Sequence, residues 1–347
     1  MSNAAALQYP CGAPPAMGSF LEVAPGVFWV RLAMPFRLDH INVWLLKDGG
    51  GWTLVDTGLR EPETLKRWLA LFDELLQGRP VRRVIGTHMH PDHIGLAGWI
   101  TKHFSATLCM SRLEYLNCRA LVSDTGREAP EDALAFWRRA GWSPVALETY
   151  RVRFGDFGKH IHPLPDSFCR LRDGDELSID GRAWKVVIGT GHSPEHVCLH
   201  CPSLDVFISG DQILPKISSN VSVHPMEPQA DPMRDWLDTL AGLRASVPDS
   251  VLVLPSHNEC FRGLHARIDG LADSQQRALD RLREALREPR RVVDLFEALF
   301  RRPIPQTSTQ LGLATGETVA CLNHLMQRGE VGCEGAADGV DWYRCVS

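Results

Sequence analysis

No apolar run in this 347-residue chain approaches the roughly 20 residues needed to cross a bilayer, and no internal repeat or low-complexity tract is evident. Membrane insertion is not expected. An excess of positive charge is also missing: 37 Lys and Arg face 42 Asp and Glu, and the formal net charge of −5 offers no broad attraction to nucleic acid or anionic lipid. A cysteine framework is missing too. The ten cysteines (Cys11, Cys109, Cys118, Cys169, Cys198, Cys201, Cys260, Cys321, Cys333 and Cys345) are scattered and read as reduced thiols. Cys198 and Cys201 form a C-x-x-C, but it lies inside a strand-like run with no second pair, so burial in a sheet is expected rather than metal or redox chemistry. The first six residues have neither the basic start nor the apolar stretch of a signal peptide, so a cytoplasmic location is the expectation.

What is present describes a globular chain. Hydrophobic residues make up 44% and charged residues 23%, which rules out a disordered or fibrous profile, and the length predicts about two domains. Strand patterns fall at 27–32, 41–46 and 52–56, with Lys47-Asp48-Gly49-Gly50-Gly51 as a turn. Apolar residues at helical spacing (Leu65, Trp68, Leu69, Phe72, Leu75, Leu76) predict a helix over 63–76. A strand at 81–86, a histidine-rich loop and a helix at 94–104 follow. The stretch 113–173 loosens into helical pieces and Pro- and Gly-punctuated chain, and reads as an insertion over the site. Strands resume at 177–179, 183–188, 197–201, 206–209 and 251–254. Beyond them, helices at 264–286, 292–300 and 317–328 and a hairpin of 331–334 with 342–346 suggest a winged-helix unit. The expected domains are 1–262 and 263–347.

The chemistry concentrates in Thr87-His88-Met89-His90-Pro91-Asp92-His93, directly after a strand. His88 and His90 project the same way from an extended turn, while Asp92 and His93 reach a second nearby point, so one loop can begin two adjacent metal sites. Three further residues sit where strands end. His192 follows the strand at 183–188 in Gly191-His192-Ser193-Pro194, Asp211 follows 206–209, and His257 follows 251–254. Together they predict His88, His90 and His192 for one metal, Asp92, His93 and His257 for a second, and Asp211 between them. Three N/O ligands with a vacant position is the catalytic arrangement, whereas a closed structural zinc site uses four protein ligands and favours cysteine. Two divalent cations are expected, zinc foremost with iron or manganese as alternatives, and Asp92 and Asp211 are the candidate catalytic carboxylates.

Val55-Asp56-Thr57-Gly58, the histidine loop, Gly191-His192-Ser193-Pro194, Ser209-Gly210-Asp211 and Ser256-His257, in that order over residues 20–260, resemble the metallo-β-lactamase-fold hydrolase superfamily, in particular its glyoxalase II-like and winged-helix-bearing thioesterase branches. The resemblance implies an α/β (α+β) fold: an αββα four-layer sandwich, a dinuclear site at one edge of its two sheets, and here a small C-terminal winged-helix-like domain. It also implies that Asp56 orients the ligand loop without binding metal. The family often has glycine before the second histidine of Gly-His-Ser-Pro-x-His, where this chain has Glu195 before His196. His196 is accordingly expected to support or pack rather than to ligate.

Two cations sharing a water lower its pKa toward neutrality and polarise the carbonyl under attack, which suits ester, thioester, lactone or amide hydrolysis. No convincing proton donor for an amine leaving group stands out, and a thiolate leaves without one. The expected substrate is therefore a small acyl thioester or ester, with a lactone or β-lactam hydrolase and a one-iron persulfide dioxygenase-type oxidoreductase as alternatives. Lys216, Asn220 and His224, in the polar stretch after Asp211, are the candidate substrate contacts. Trp137, Trp142 and Tyr115 fit either an apolar lid or helix core positions. No nucleic-acid partner is expected, because the candidate recognition helix 317–328 carries one arginine and the wing carries Glu330, Glu334, Asp338 and Asp341. Packing or homodimer formation suits that region better.

Overall fold

The computed structural model describes residues 7–308 and 310–346. One sheet runs in the order β1 (Phe20–Ala24), β2 (Val27–Ala33), β3 (His40–Asp48), β4 (Gly51–Val55), β5 (Val81–Ile85), β6 (Thr107–Met110) and β7 (Cys169–Arg170). The first four strands form an antiparallel meander, and β4 through β7 pair in parallel. Parallel neighbours need crossovers. α1 (Pro62–Leu71) joins β4 to β5, and α2 (Pro91–Ile94) and α3 (Ala97–Phe104) join β5 to β6. α4 (Arg112–Ser123) follows β6. The second sheet comprises β8 (Glu176–Ile179), β9 (Arg182–Gly189), β10 (His196–Cys201), β11 (Val206–Gly210) and β12 (Leu252–Pro255), paired in sequence order.

Side-chain alternation explains how the layers stack. On β2 and β3, Val27, Trp29, Trp44 and Leu46 point into a core shared with Trp184, Val186, Leu199, Ile208 and Leu254 of the second sheet. The intervening Phe28, Val30, Val43 and Leu45 face the opposite core, with Trp68 and Leu71 of α1 and Ile100 of α3. Each fully buried side chain of this size contributes about 1.5–3 kcal/mol of transfer free energy, so both faces of the first sheet are committed. This is the mixed α/β, two-sheet architecture expected.

Strand direction then gathers the loops. β4 and β5 are parallel, so the chain after Val55 and after Ile85 emerges at one edge. In the second sheet β9 and β11 are both antiparallel to β10, and β12 is parallel to β11, so the C-terminal ends of β9, β11 and β12 also share an edge.

Contacts group the described residues into two compact units: those up to 125 with 155–219 and 244–267, and 126–154 with 220–243 and those from 268 onward. Both sheets belong to the first unit. This partition cuts the chain elsewhere than the boundary drawn near residue 262 from sequence. The second unit contains α5 (Glu131–Arg139), α6 (Pro144–Arg153), most of α7 (Pro232–Ser246) and of α8 (Leu264–Ala285), α9 (Phe296–Phe300), α10 (Leu311–Gln327) and the hairpin β13 (Val331–Gly335) with β14 (Asp341–Cys345). Trp137 and Trp142 stack 4.5 Å apart within it, and the Trp142 indole donates to Thr315 Oγ1 at 2.9 Å, so both serve as packing groups. Helix α10 begins six residues before the expected start at 317, since Leu311, Ala314, Thr315 and Gly316 are all buried and packing outweighs the poor helix propensity of Thr and Gly. Among the described residues no helix is long and apolar enough to cross a membrane.

Candidate metal centre

Pro91 at the first helical position starts α2 immediately after extended His90. His88 therefore sits in the bend before the helix and His90 on extended chain, whereas Asp92 and His93 ride on a helical turn. The loop delivers its side chains to two points for this reason. Two groups of ligand atoms result, each within 4.8 Å of one another: His88, His90, His192 and Asp211 in one, Asp92, His93 and His257 in the other.

Short contacts join them. His88 Nε2 lies 2.8 Å from His90 Nδ1 and 3.3 Å from His192 Nε2. Asp211 Oδ2 is 3.5 Å from both His192 Nε2 and His93 Nε2, and its Oδ1 is 3.4 Å from His257 Nε2. Asp92 Oδ2 is 3.6 Å from His93 Nε2 and 3.5 Å from His257 Nε2. Asp211 thus contacts members of both groups. His93 Nε2 and Asp211 Oδ1 are buried without a hydrogen-bond partner among the described residues. Buried polar atoms are rarely left so, and lone pairs converging from imidazole and carboxylate fit a divalent cation.

The remaining ring nitrogens are held by the scaffold. Asp56, in the left-handed region at φ 64°, accepts from Thr87 N–H at 2.8 Å and Thr87 Oγ1 at 2.8 Å, and its Oδ2 lies 2.7 Å from His93 Nδ1. His257 Nδ1 donates to the His40 carbonyl at 2.8 Å, and His40 Nε2 accepts from Asn258 N–H at 2.8 Å. Both bonds point Nε2 of His93 and His257 into the centre, the usual support of a metal-binding imidazole. His196 stays outside the groups: its Nε2 accepts from the Asp211 N–H at 3.1 Å, and its ring fills the space a Cβ on Gly210 would need. Ser219 Oγ donates to the Asp211 carbonyl.

Electrostatics divide the centre. Burial, aided by neighbouring imidazoles, holds His88 well below the usual histidine pKa, and burial with His192 beside it lowers His90 to about 3. Both are neutral, the form that binds metal. Burial also opposes charge on His93 and His257, but Asp92 and Asp211 outweigh it, holding His93 well above its ordinary value and His257 at about 10. The same contacts, working against burial, lower Asp92 to about 2 and hold Asp211 well below the carboxylate range.

The three candidate substrate contacts belong to neither ligand group. Lys216 Nζ pairs with Glu259 Oε1 at 2.6 Å on a half-exposed side chain. Asn220 Nδ2 donates to Glu317 Oε2 at 2.8 Å, and His224 is exposed. Tyr115 stacks on Phe168 at 3.9 Å and donates to the Pro165 carbonyl. Sequence reasoning missed His40, Asn42 and Glu114. Asn42 Nδ2 donates to the carbonyls of Pro255 and Asn258 and shapes the His257 turn. Glu114 carried a signal of another kind: Ser111-x-x-Glu114 reads as a helix capping box, yet Ser111 makes no side-chain cap, and the Glu114 carboxyl bonds the ligand loops instead.

Similarity to known proteins agrees with this geometry. Residues 37–288 match the metallo-beta-lactamase superfamily, and residues 279–346 match the metallo-beta-lactamase-like C-terminal domain. A crystal structure of a beta-lactamase domain protein from Burkholderia ambifaria is 38% identical, covers 98% of each chain and superposes with a TM-score of 0.88. The probable metallo-hydrolase YqjP of Bacillus subtilis is 24% identical, over 79% of this chain and 85% of its own. Acyl-coenzyme A thioesterase MBLAC2 of Homo sapiens is 23% identical over 55% of this chain, which spans 65% of that protein. The chain belongs to the metallo-beta-lactamase superfamily and is a hydrolase of that fold.

Proposed function

We propose that this enzyme hydrolyses a small acyl thioester, such as an acyl-coenzyme A, at a centre of two divalent cations. The observation that carries the reading is the convergence of seven imidazole and carboxylate side chains with His93 Nε2 and Asp211 Oδ1 left without hydrogen-bond partners among the described residues. His88, His90 and His192 would hold one cation, Asp92, His93 and His257 the other, with Asp211 shared. When bound, such cations acidify a water and polarise the carbonyl under attack. The chain's own part is orientation: Asp56 and the His40 carbonyl fix two imidazoles, and His196 and Ser219 fix the backbone of Asp211. Zinc suits this nitrogen and oxygen donor set.

Support for a thioester comes from the leaving group, since a thiolate departs without a proton donor, and from the similarity to a protein named an acyl-coenzyme A thioesterase. In this reading residues 1–262 carry the chemistry, and 263–347 form a winged-helix-like unit used in packing. The test is metal analysis of purified protein followed by thiol release from acyl-coenzyme A and acylglutathione, with lactone and β-lactam hydrolysis alongside. About two zinc ions per chain and preferential thiol release are expected. Full activity in metal-free protein, or a single iron, would overturn it.

A further inference from the structure

Glu114, near the start of α4, belongs to neither ligand group, yet its carboxyl is fully buried beside two ligand loops. Oε2 accepts from the N–H of Met89, the residue between His88 and His90, at 2.9 Å. Oε1 accepts from the N–H of Glu195, three residues beyond His192, also at 2.9 Å. The Glu195 carboxylate returns a bond, accepting from Leu113 N–H at 2.9 Å, so α4 and the second loop clamp each other. We propose that Glu114 is a positioning residue that pre-organises the three-histidine half of the centre and sets its cation affinity separately from the other half. This rests on the metal-centre reading above.

The selectivity follows from what holds each side chain. Two loops from different sheets must keep register for His88, His90 and His192 to meet, and Glu114 bridges their backbones with one oxygen apiece. His93 is held instead by Asp56, and His257 by the His40 carbonyl. Both Glu114 oxygens act as acceptors. Glutamine keeps one acceptor and turns its amide N–H toward a backbone N–H, so one loop loses its anchor while shape is conserved. Outer partners of metal ligands typically affect affinity by about 10–100-fold.

The experiment measures zinc retained per chain against graded chelator, in two backgrounds that each leave one half intact. With His257→Ala present, adding Glu114→Gln should make the remaining ion about 10–100-fold easier to remove; with His192→Ala present, it should leave the remaining ion unchanged. Equal weakening in both backgrounds, or none with His257→Ala, overturns the proposal. Near-UV circular dichroism at saturating zinc checks the fold. If Glu114→Gln does not fold, Glu195→Ala removes only the return bond and should move the same ion in the same direction by a smaller factor; no movement then overturns the clamp. Wild-type protein that binds no zinc would instead sink the metal-centre reading itself, a distinguishable result.

Discussion

Two neighbourhoods of this chain bury a carboxyl group and drive it in opposite directions. Asp92 and Asp211 face His93 and His257, and their pKa values fall, to about 2 for Asp92 and well below the ordinary range for Asp211. Glu317 on α10 faces the amide of Asn220, and burial pushes its pKa up to about 7. Withdrawal from water penalises charge in both places, so the neighbours decide the outcome. An amide donates one hydrogen bond. Imidazoles in contact with carboxylates supply charge, and where no cation is present that charge is a proton.

Breaking the first neighbourhood should have the largest effect. Asp211→Ala or His88→Ala should reduce hydrolysis more than about 1000-fold and lower the bound metal, with the circular dichroism spectrum largely retained. Retained turnover would mean that the carboxylate is depressed for structural reasons alone. Asp56→Asn comes next: it keeps the shape but removes the charge behind His93 Nδ1, and should weaken metal retention by about 10–100-fold in a chelator titration.

The second neighbourhood can be sharpened through pH. Burial raises the folded-state pKa of Glu317 to about 7 from an ordinary value near 4.5, so between these values the folded chain binds more protons than the unfolded one. Stability from this group is therefore complete below about pH 4.5 and is lost as pH rises through 7, on the order of 2 kcal/mol for a side chain that keeps some solvent contact. Glu317→Gln should flatten that slope, making urea unfolding midpoints at pH 8 higher than in wild type; an unchanged slope would show that Asn220 and water satisfy the charged form. Lys216→Ala should matter least. Its pair with Glu259 is exposed, so stability should change by under about 0.5 kcal/mol and KM by less than about threefold.

Much of the first neighbourhood was legible because it is written in short runs. Thr87 to His93 places four candidate ligands in one segment, and His192, Asp211 and His257 each follow a recognisable strand. What could not be read were groups whose role depends on distant chain. Asn42 lies 213 positions from the Pro255 carbonyl it bonds, and Glu114 lies 81 from Glu195. The local pattern around Glu114 even pointed to helix capping, which tertiary contacts override. α7 is not among the elements read from the sequence, although Met233, Trp236, Leu240 and Leu243 are buried at helical spacing. The two-residue β7 was missed because Cys169 and Arg170 are too few to show alternation.

The ligand candidates come from both sheets: His88 to His93 follow β5 of one, and His192, Asp211 and His257 follow β9, β11 and β12 of the other. Neither sheet alone carries a complete set. With the cations of the proposed centre, tight capture during refolding would wait until Trp29 and Trp44 have packed against Trp184 and Val186 in the shared core. Metal uptake becomes a clock for sheet docking. A stopped-flow zinc indicator should lag behind far-UV circular dichroism and coincide with burial of those tryptophans.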